Sequence, residues 1–192
     1  MQSTIIFNIS RPAMVNFFEF STDLADNSFQ MITVTRLDES RWQDYRDLRL
    51  EALKNEPLAF GSSYEEEQFN LEAYWRQHIQ NVLFAVSDNG PVGMLVHARN
   101  NRIKTNHIYG IYGVYVRKDY RGQGIGNKLM DAALDEIQKI SGIEKIELAV
   151  NPVQKAAEKL YRKYGFKTAG CSKKAIRFNG KFYDELLMEK YL

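Results

Sequence analysis

The β-branched stretch ending in Val114, Tyr115 and Val116 runs through a basic turn, Arg117-Lys118-Asp119-Tyr120, into Arg121-Gly122-Gln123-Gly124-Ile125-Gly126, and then into a helical pattern from Asn127 to Ile140. That order constrains the fold more than any other segment, because it places a glycine-rich loop between a strand and the start of a helix. The first amides of a helix lack intrahelical partners and carry partial positive charge, so they hold anions. Glycines there let the main chain approach the anion without an intervening Cβ. Arg117, Lys118 and Arg121 add cations beside the same point, so the segment is expected to cradle a phosphate. Spacing narrows the ligand. No Gly-Lys-Ser or Gly-Lys-Thr occurs, which removes the Walker loop, and Leu129 stands where a dinucleotide fingerprint needs its third glycine. A Walker-type nucleotide site and a dinucleotide site are therefore both disfavoured.

Composition excludes several other classes. The 192 residues, 44% hydrophobic and 26% charged, suit one ordinary globular domain, and a net charge of +2 is too small to imply nucleic acid as a partner. One cysteine, Cys171, cannot form an intrachain disulfide or a Cys-pair zinc site, and His78, His97 and His107 lack the spacing of a helical metal site. No metal is expected. No apolar run is long enough for a bilayer, and residues 4–9 are too short for a signal-peptide core, so no membrane role and a cytoplasmic location are expected. Residues 1–30, with Phe17, Phe18 and Phe20 ahead of a polar acidic stretch, fit the rest poorly. Two readings stay open for them: an extension or the product of an upstream start, and an arm whose aromatics pack on this subunit or on a partner; a homodimer stays open as well.

From residue 31 the elements become legible. Residues 32–37 alternate as a strand, and Trp42, Tyr45, Leu48 and Leu53 recur at helical spacing up to Pro57. Ser63 with Glu66 forms a capping-box pattern for a second helix carrying Phe69, Leu71, Tyr74, Trp75 and Ile79, and the acidic run Glu65 to Glu67 suits a helix start. Residues 82–87 and 92–99 flank the turn residues Asp88-Asn89-Gly90-Pro91, predicting a hairpin. The helix after the glycine loop puts Ile125, Leu129, Ala133, Ile137 and Ile140 on one face, and residues 144–150 form the next strand. Asn151-Pro152 reads as an N-cap followed by proline at the first helical position, and Gly165 as the left-handed residue ending that helix. Asn179-Gly180 predicts a closing hairpin of residues 174–178 and 181–192.

Two motifs together resemble the GCN5-related N-acetyltransferase (GNAT) family. Arg121-x-x-Gly124-x-Gly126 is similar to its loop of Gln or Arg, two residues, Gly, one residue, and Gly or Ala, and Leu160-Tyr161-Arg162-Lys163-Tyr164-Gly165-Phe166 to its Leu-Tyr, three residues, Gly-Phe marker. The resemblance covers residues 31–192, taken as one N-acetyltransferase domain. It implies an α/β fold with a mixed, mostly antiparallel central sheet, flanked by helices and splayed at the cofactor. It also implies an acetyl-coenzyme A-dependent N-acetyltransferase acting on a primary amine of a small molecule or a peptide, with acetyl-CoA as cosubstrate. Arg121, Gly122, Gln123, Gly124, Ile125, Gly126 and Asn127 would wrap the diphosphate. The free edge at Val114, Tyr115 and Val116 would bind the pantetheine arm and polarise the thioester carbonyl. Tyr161 stands at the family's general-acid position. Where the family often has an asparagine seven residues before that tyrosine, this chain has Gln154, and Asn151 at the strand end is the substitute contact. The stretch Tyr109-Gly110-Ile111-Tyr112 carries no carboxylate where some members have a catalytic glutamate, so no base is named; a water chain or one of Glu65 to Glu67 stays open. A catalytically silent acyl-CoA-binding sensor or scaffold is the alternative.

Overall fold

The computed structural model describes residues 31–192, so the N-terminal aromatic arm lies outside the described residues. In chain order the elements are β1 (Thr33–Thr35), α1 (Trp42–Asn55), α2 (Tyr64–Glu67), α3 (Glu72–Ile79), β2 (Val82–Ser87), β3 (Gly90–Arg99), β4 (Ile108–Val116), α4 (Ile125–Gln138), β5 (Lys145–Val150), α5 (Lys155–Lys163), β6 (Lys167–Phe178) and β7 (Lys181–Tyr191). The strands form one sheet in the order β1-β2-β3-β4-β5-β7-β6. Every neighbouring pair is antiparallel except β4 and β5. The sheet is thus mixed and mostly antiparallel, as the motifs imply. Among the described residues no helix is long and apolar enough to cross a membrane.

Strand alternation sends successive side chains to opposite faces, and the two faces have separate cores. On one, α4 buries Ile125, Leu129, Ala133 and Ile137 against Leu83, Ala85, Leu95, Ile111 and Ile146. On the other, α1 and α3 bury Leu48, Leu53, Trp75 and Ile79 against Val82, Phe84, Met94 and Tyr115. Each fully buried aliphatic or aromatic side chain contributes about 1.5–3 kcal/mol relative to exposure.

The parallel pair β4–β5 decides where a ligand fits. It is paired only over Ile108 to Gly110 with Lys145 to Glu147, and beyond that the strands part. The departure coincides with a bulge in β4. Leu95 faces Val114 while Val96 faces Tyr112, which leaves Gly113 as an extra residue at φ +55°. A Cβ on Gly113 would stand 3.1 Å from Arg49 Nη1 and 3.4 Å from the Phe60 ring, so conformation and space both call for glycine.

Local reading of the sequence fails at three points, each for a physical reason. The expected single helix after Ser63 is broken between α2 and α3, and Phe69 and Leu71 are each 79% exposed. The capping box forms, but the Asn70 carbonyl accepts the Trp75 indole N–H at 3.1 Å, and a buried indole needs such an acceptor. Second, Asn151 does not cap α5. Its main-chain oxygen accepts the Gln154 amide at 2.9 Å and its side-chain Oδ1 the Val153 amide at 3.1 Å, forming a turn that delays the helix to Lys155. Third, β6 starts at Lys167 rather than 174, its alternation hidden by two register shifts against β7. The other elements lie within about two residues of their expected bounds, with Gly90 and Pro91 belonging to β3 rather than to the turn. Asn179 and Gly180 take φ +48° and +76°, and the Gly165 end of α5 is a Schellman pair, Phe166 N–H to Tyr161 O and Gly165 N–H to Arg162 O.

Candidate active site

Gly122 and Gly124 hold φ +80° and +77°, a region that other residues enter only at a cost, and this turns the chain from the end of β4 into α4. Among the described residues no side chain caps the N-terminus of α4, and the first main-chain bond returning to the cap runs from Lys128 N–H to Gly124 O. The amides of Ile125, Gly126 and Asn127 are therefore left unclaimed by the helix.

These amides border a cavity of about 440 Å³ in the gap between β4 and β5. Val114, Tyr115 and Val116 line one side and Ala149, Val150 and Asn151 the other. Arg121, Gly122, Gly124, Ile125, Gly126 and Asn127 form the α4 end, and Gln154, Leu160 and Tyr161 complete the wall. The cleft thus gathers the residues expected to bind the cofactor or donate a proton, with the exception of Gln123, while Arg117, Lys118 and Glu65 to Glu67 lie outside its lining. The Gln123 side chain turns away to donate to the Asp119 carbonyl at 3.3 Å, because the glycines on either side redirect the chain.

The polar groups of the cleft are unequally occupied. Asn151 is buried, and while its Oδ1 is used within its own turn, its Nδ2 has no hydrogen-bond partner among the described residues. The Val153 N–H must meet an oxygen, which fixes the amide orientation. An unsatisfied buried donor costs about 1–3 kcal/mol, and a carbonyl on a ligand would recover it. Tyr161 is 6% exposed and stands edge-on to Phe166, its ring centroid 6.2 Å away. Burial alone raises its phenol above the ordinary value of 10.0, so it stays protonated.

The basic turn departs from expectation. Arg117 pairs with Glu51 at 2.8 Å instead of facing the loop amides. Arg121 lines the cavity but folds back over the end of β4, where Nε donates to Val116 O at 2.9 Å and Nη2 pairs with Glu56 Oε1 at 2.9 Å. The acidic run is also committed. Glu66 closes the capping box with Ser63, and Glu67 is buried in a two-pronged ion pair with Arg49 at 2.7 and 3.0 Å.

A second cavity, of about 460 Å³, lies between the segment following α1 and the β6–β7 hairpin. Pro57 and Leu58, Val153, and Phe178, Asn179, Lys181 and Tyr183 line it, and it shares Glu56 and Gln154 with the first. Sequence reasoning missed Glu56, Ala59 and Tyr120 in the first cavity and nearly all of the second. The Asn179-Gly180 turn was the one local signal pointing there, since it sets the reach of the hairpin.

Comparison with known proteins agrees with this geometry. Residues 36–166 match the model of the acetyltransferase (GNAT) family. The chain is 29% identical over 108 residues to the L-amino acid N-acetyltransferase AaaT of Escherichia coli, a match spanning 56% of this chain and 66% of that protein, just under two thirds of its length. Among solved structures, a GNAT-family acetyltransferase from Streptococcus pneumoniae superposes with TM-score 0.74 at 19% identity, covering 84% of this chain and all of that one. A phosphinothricin acetyltransferase from Sinorhizobium meliloti, solved with acetyl-CoA, gives 0.69 at 18% identity, covering 84% of this chain and 88% of that one. At these identities the structural likeness establishes the fold.

Proposed function

Because the chain belongs to the acetyltransferase (GNAT) family, we propose that it is an acetyl-coenzyme A-dependent N-acetyltransferase whose acceptor is the primary amine of a small molecule or a peptide. The cosubstrate supplies an acetyl group activated as a thioester. The observation that carries the reading is one cleft in which unclaimed helix amides, an unpartnered buried amide donor and a protonated phenol line the same wall-to-wall gap.

Each residue has a task in this reading. The amides of Ile125, Gly126 and Asn127 hold the diphosphate, aided by the dipole of α4. Asn151 Nδ2 donates to a carbonyl of the pantetheine arm. The parted edge of β4 at Val114 to Val116 aligns that arm, with main-chain donors directed at the thioester oxygen where negative charge develops. Tyr161 holds the proton that the departing sulfur takes up. Its raised pKa fits a buried donor, since a thiolate formed in the same low-dielectric cleft is also a stronger base than in water.

The acceptor enters through the second cavity, which meets the first at Glu56 and Gln154. Because the E. coli relative is an L-amino acid N-acetyltransferase, L-amino acids come first on an acceptor panel. The test is thiol release from acetyl-CoA against amino acids, small amines and peptide N-termini. Acceptor-dependent release supports the proposal. Binding of coenzyme A with no release on any acceptor would replace it with a silent acyl-CoA-binding module.

A further inference from the structure

We propose that Glu56 is the proton acceptor for the incoming amine, an assignment that rests on the acetyltransferase reading above. Among the described residues lining either cavity it is the one carboxylate, and it belongs to both. Its placement is local in origin. Glu56 caps α1, with its amide donating to Ala52 O at 2.9 Å, and Pro57 prevents the helix from continuing. The side chain then reaches across the parted strands. Oε1 meets Arg121 from the loop after β4 at 2.9 Å, and Oε2 accepts weakly from Gln154, ahead of α5, at 3.4 Å.

The competing carboxylates lie outside both cavities: Glu65 is exposed on α2, and the others are engaged elsewhere. Glu66 is held by the capping box, Glu67 by Arg49, and Glu51 by Arg117 and the Tyr115 hydroxyl. The Arg121–Glu56 pair is different in kind. Its side chains are 45% and 28% exposed, and an ion pair this open to solvent is weak, so Glu56 can exchange partners.

The chemistry balances with one proton moving at each end. A neutral amine attacks the thioester, the new nitrogen–carbon bond forms, and the now cationic nitrogen gives one proton to Glu56. The carbon–sulfur bond breaks, its electron pair leaves with sulfur, and the sulfur takes the proton of Tyr161. Glu56 returns its proton to solvent and Tyr161 regains one.

Glu56→Gln keeps the shape and an oxygen for Arg121 but removes the base. Acceptor-dependent thiol release is expected to fall by about 10²-fold or more. The coenzyme A dissociation constant, measured by calorimetry, should move by less than about threefold, the scale of a surface substitution; that binding also certifies the fold. In Glu56→Ala, added formate should restore part of the lost rate. The proposal is overturned by turnover of Glu56→Gln within about threefold of the unaltered protein, by a rate loss matched by an equal loss of coenzyme A affinity, which would make Glu56 a positioning residue for Arg121, or by no formate rescue. If the unaltered protein binds coenzyme A but acetylates no amine, the acetyltransferase reading fails first, a result distinct from all of these.

Discussion

Tyr161 and Glu67 are both buried, yet substituting them should have opposite kinds of consequence. Tyr161 lines the cleft and has no hydrogen-bond partner among the described residues, so Tyr161→Phe removes a proton and little packing. Thiol release is expected to drop by about 10²-fold or more while coenzyme A affinity persists; unchanged turnover would reduce Tyr161 to a core aromatic. Glu67 is buried against Arg49, beside the Gly113 bulge, with side-chain exposures of 7% and 11%. Breaking one partner of such a pair leaves a buried charge uncompensated, so Glu67→Gln should cost about 3–5 kcal/mol in urea unfolding. Residue identity alone does not separate these roles. Glu65, Glu66 and Glu67 look alike in the sequence, but one is exposed, one closes a cap and one is an interior ion.

At the scale of elements, α4 joins the cleft at its start to a polar junction at its far end. Gly124→Ala would force a side chain into the left-handed region, costing about 1–2 kcal/mol. It would also disturb the turn that presents the helix amides, so calorimetry should show weaker coenzyme A binding as well as a lower melting temperature. At the other end Glu136 meets Arg36, from beyond β1, and His97 of β3. His97 is buried, its Nε2 accepting from Arg36 at 3.0 Å and its Nδ1 donating to Tyr109 of β4 at 3.1 Å. Burial and then the Arg36 charge lower its pKa from 6.5, outweighing Glu136. The sign follows from linkage. Below 6.5 the unfolded chain binds a proton that the folded one refuses, so the His97 contribution is complete at higher pH and is lost as pH falls through that value. The stability difference between the unaltered protein and His97→Gln should therefore shrink between about pH 8 and pH 5.5 in urea titrations.

For the whole molecule, a ligand that binds only the folded chain stabilises it by mass action. Coenzyme A at 100 times its dissociation constant would add about 2.7 kcal/mol, or roughly 5–10 °C in melting temperature for a domain of this size. ATP and NAD, whose loop spacings this chain lacks, should produce little shift at equal concentration; an equal response to ATP would undo the assignment of the loop. The sequence by itself determined the features whose causes lie within a few residues. These are the strand–glycine loop–helix at residues 114–140, the Gly165 helix end, the Asn179-Gly180 hairpin and the apolar faces of α1 and α4, because dihedral preference, capping and periodicity act locally. The tertiary structure alone decided that Asn151 makes a turn with one idle donor, that Arg121 turns back to Glu56, and that a single glutamate joins two cavities. Those outcomes depend on the bulge at Gly113 and the three-residue contact between β4 and β5, which open the sheet and bring the end of α1 to the loop after β4 and the turn before α5. No short-range pattern encodes that opening, because it is set by register between separate strands, with pairs such as Leu95 with Val114 and Ile108 with Lys145.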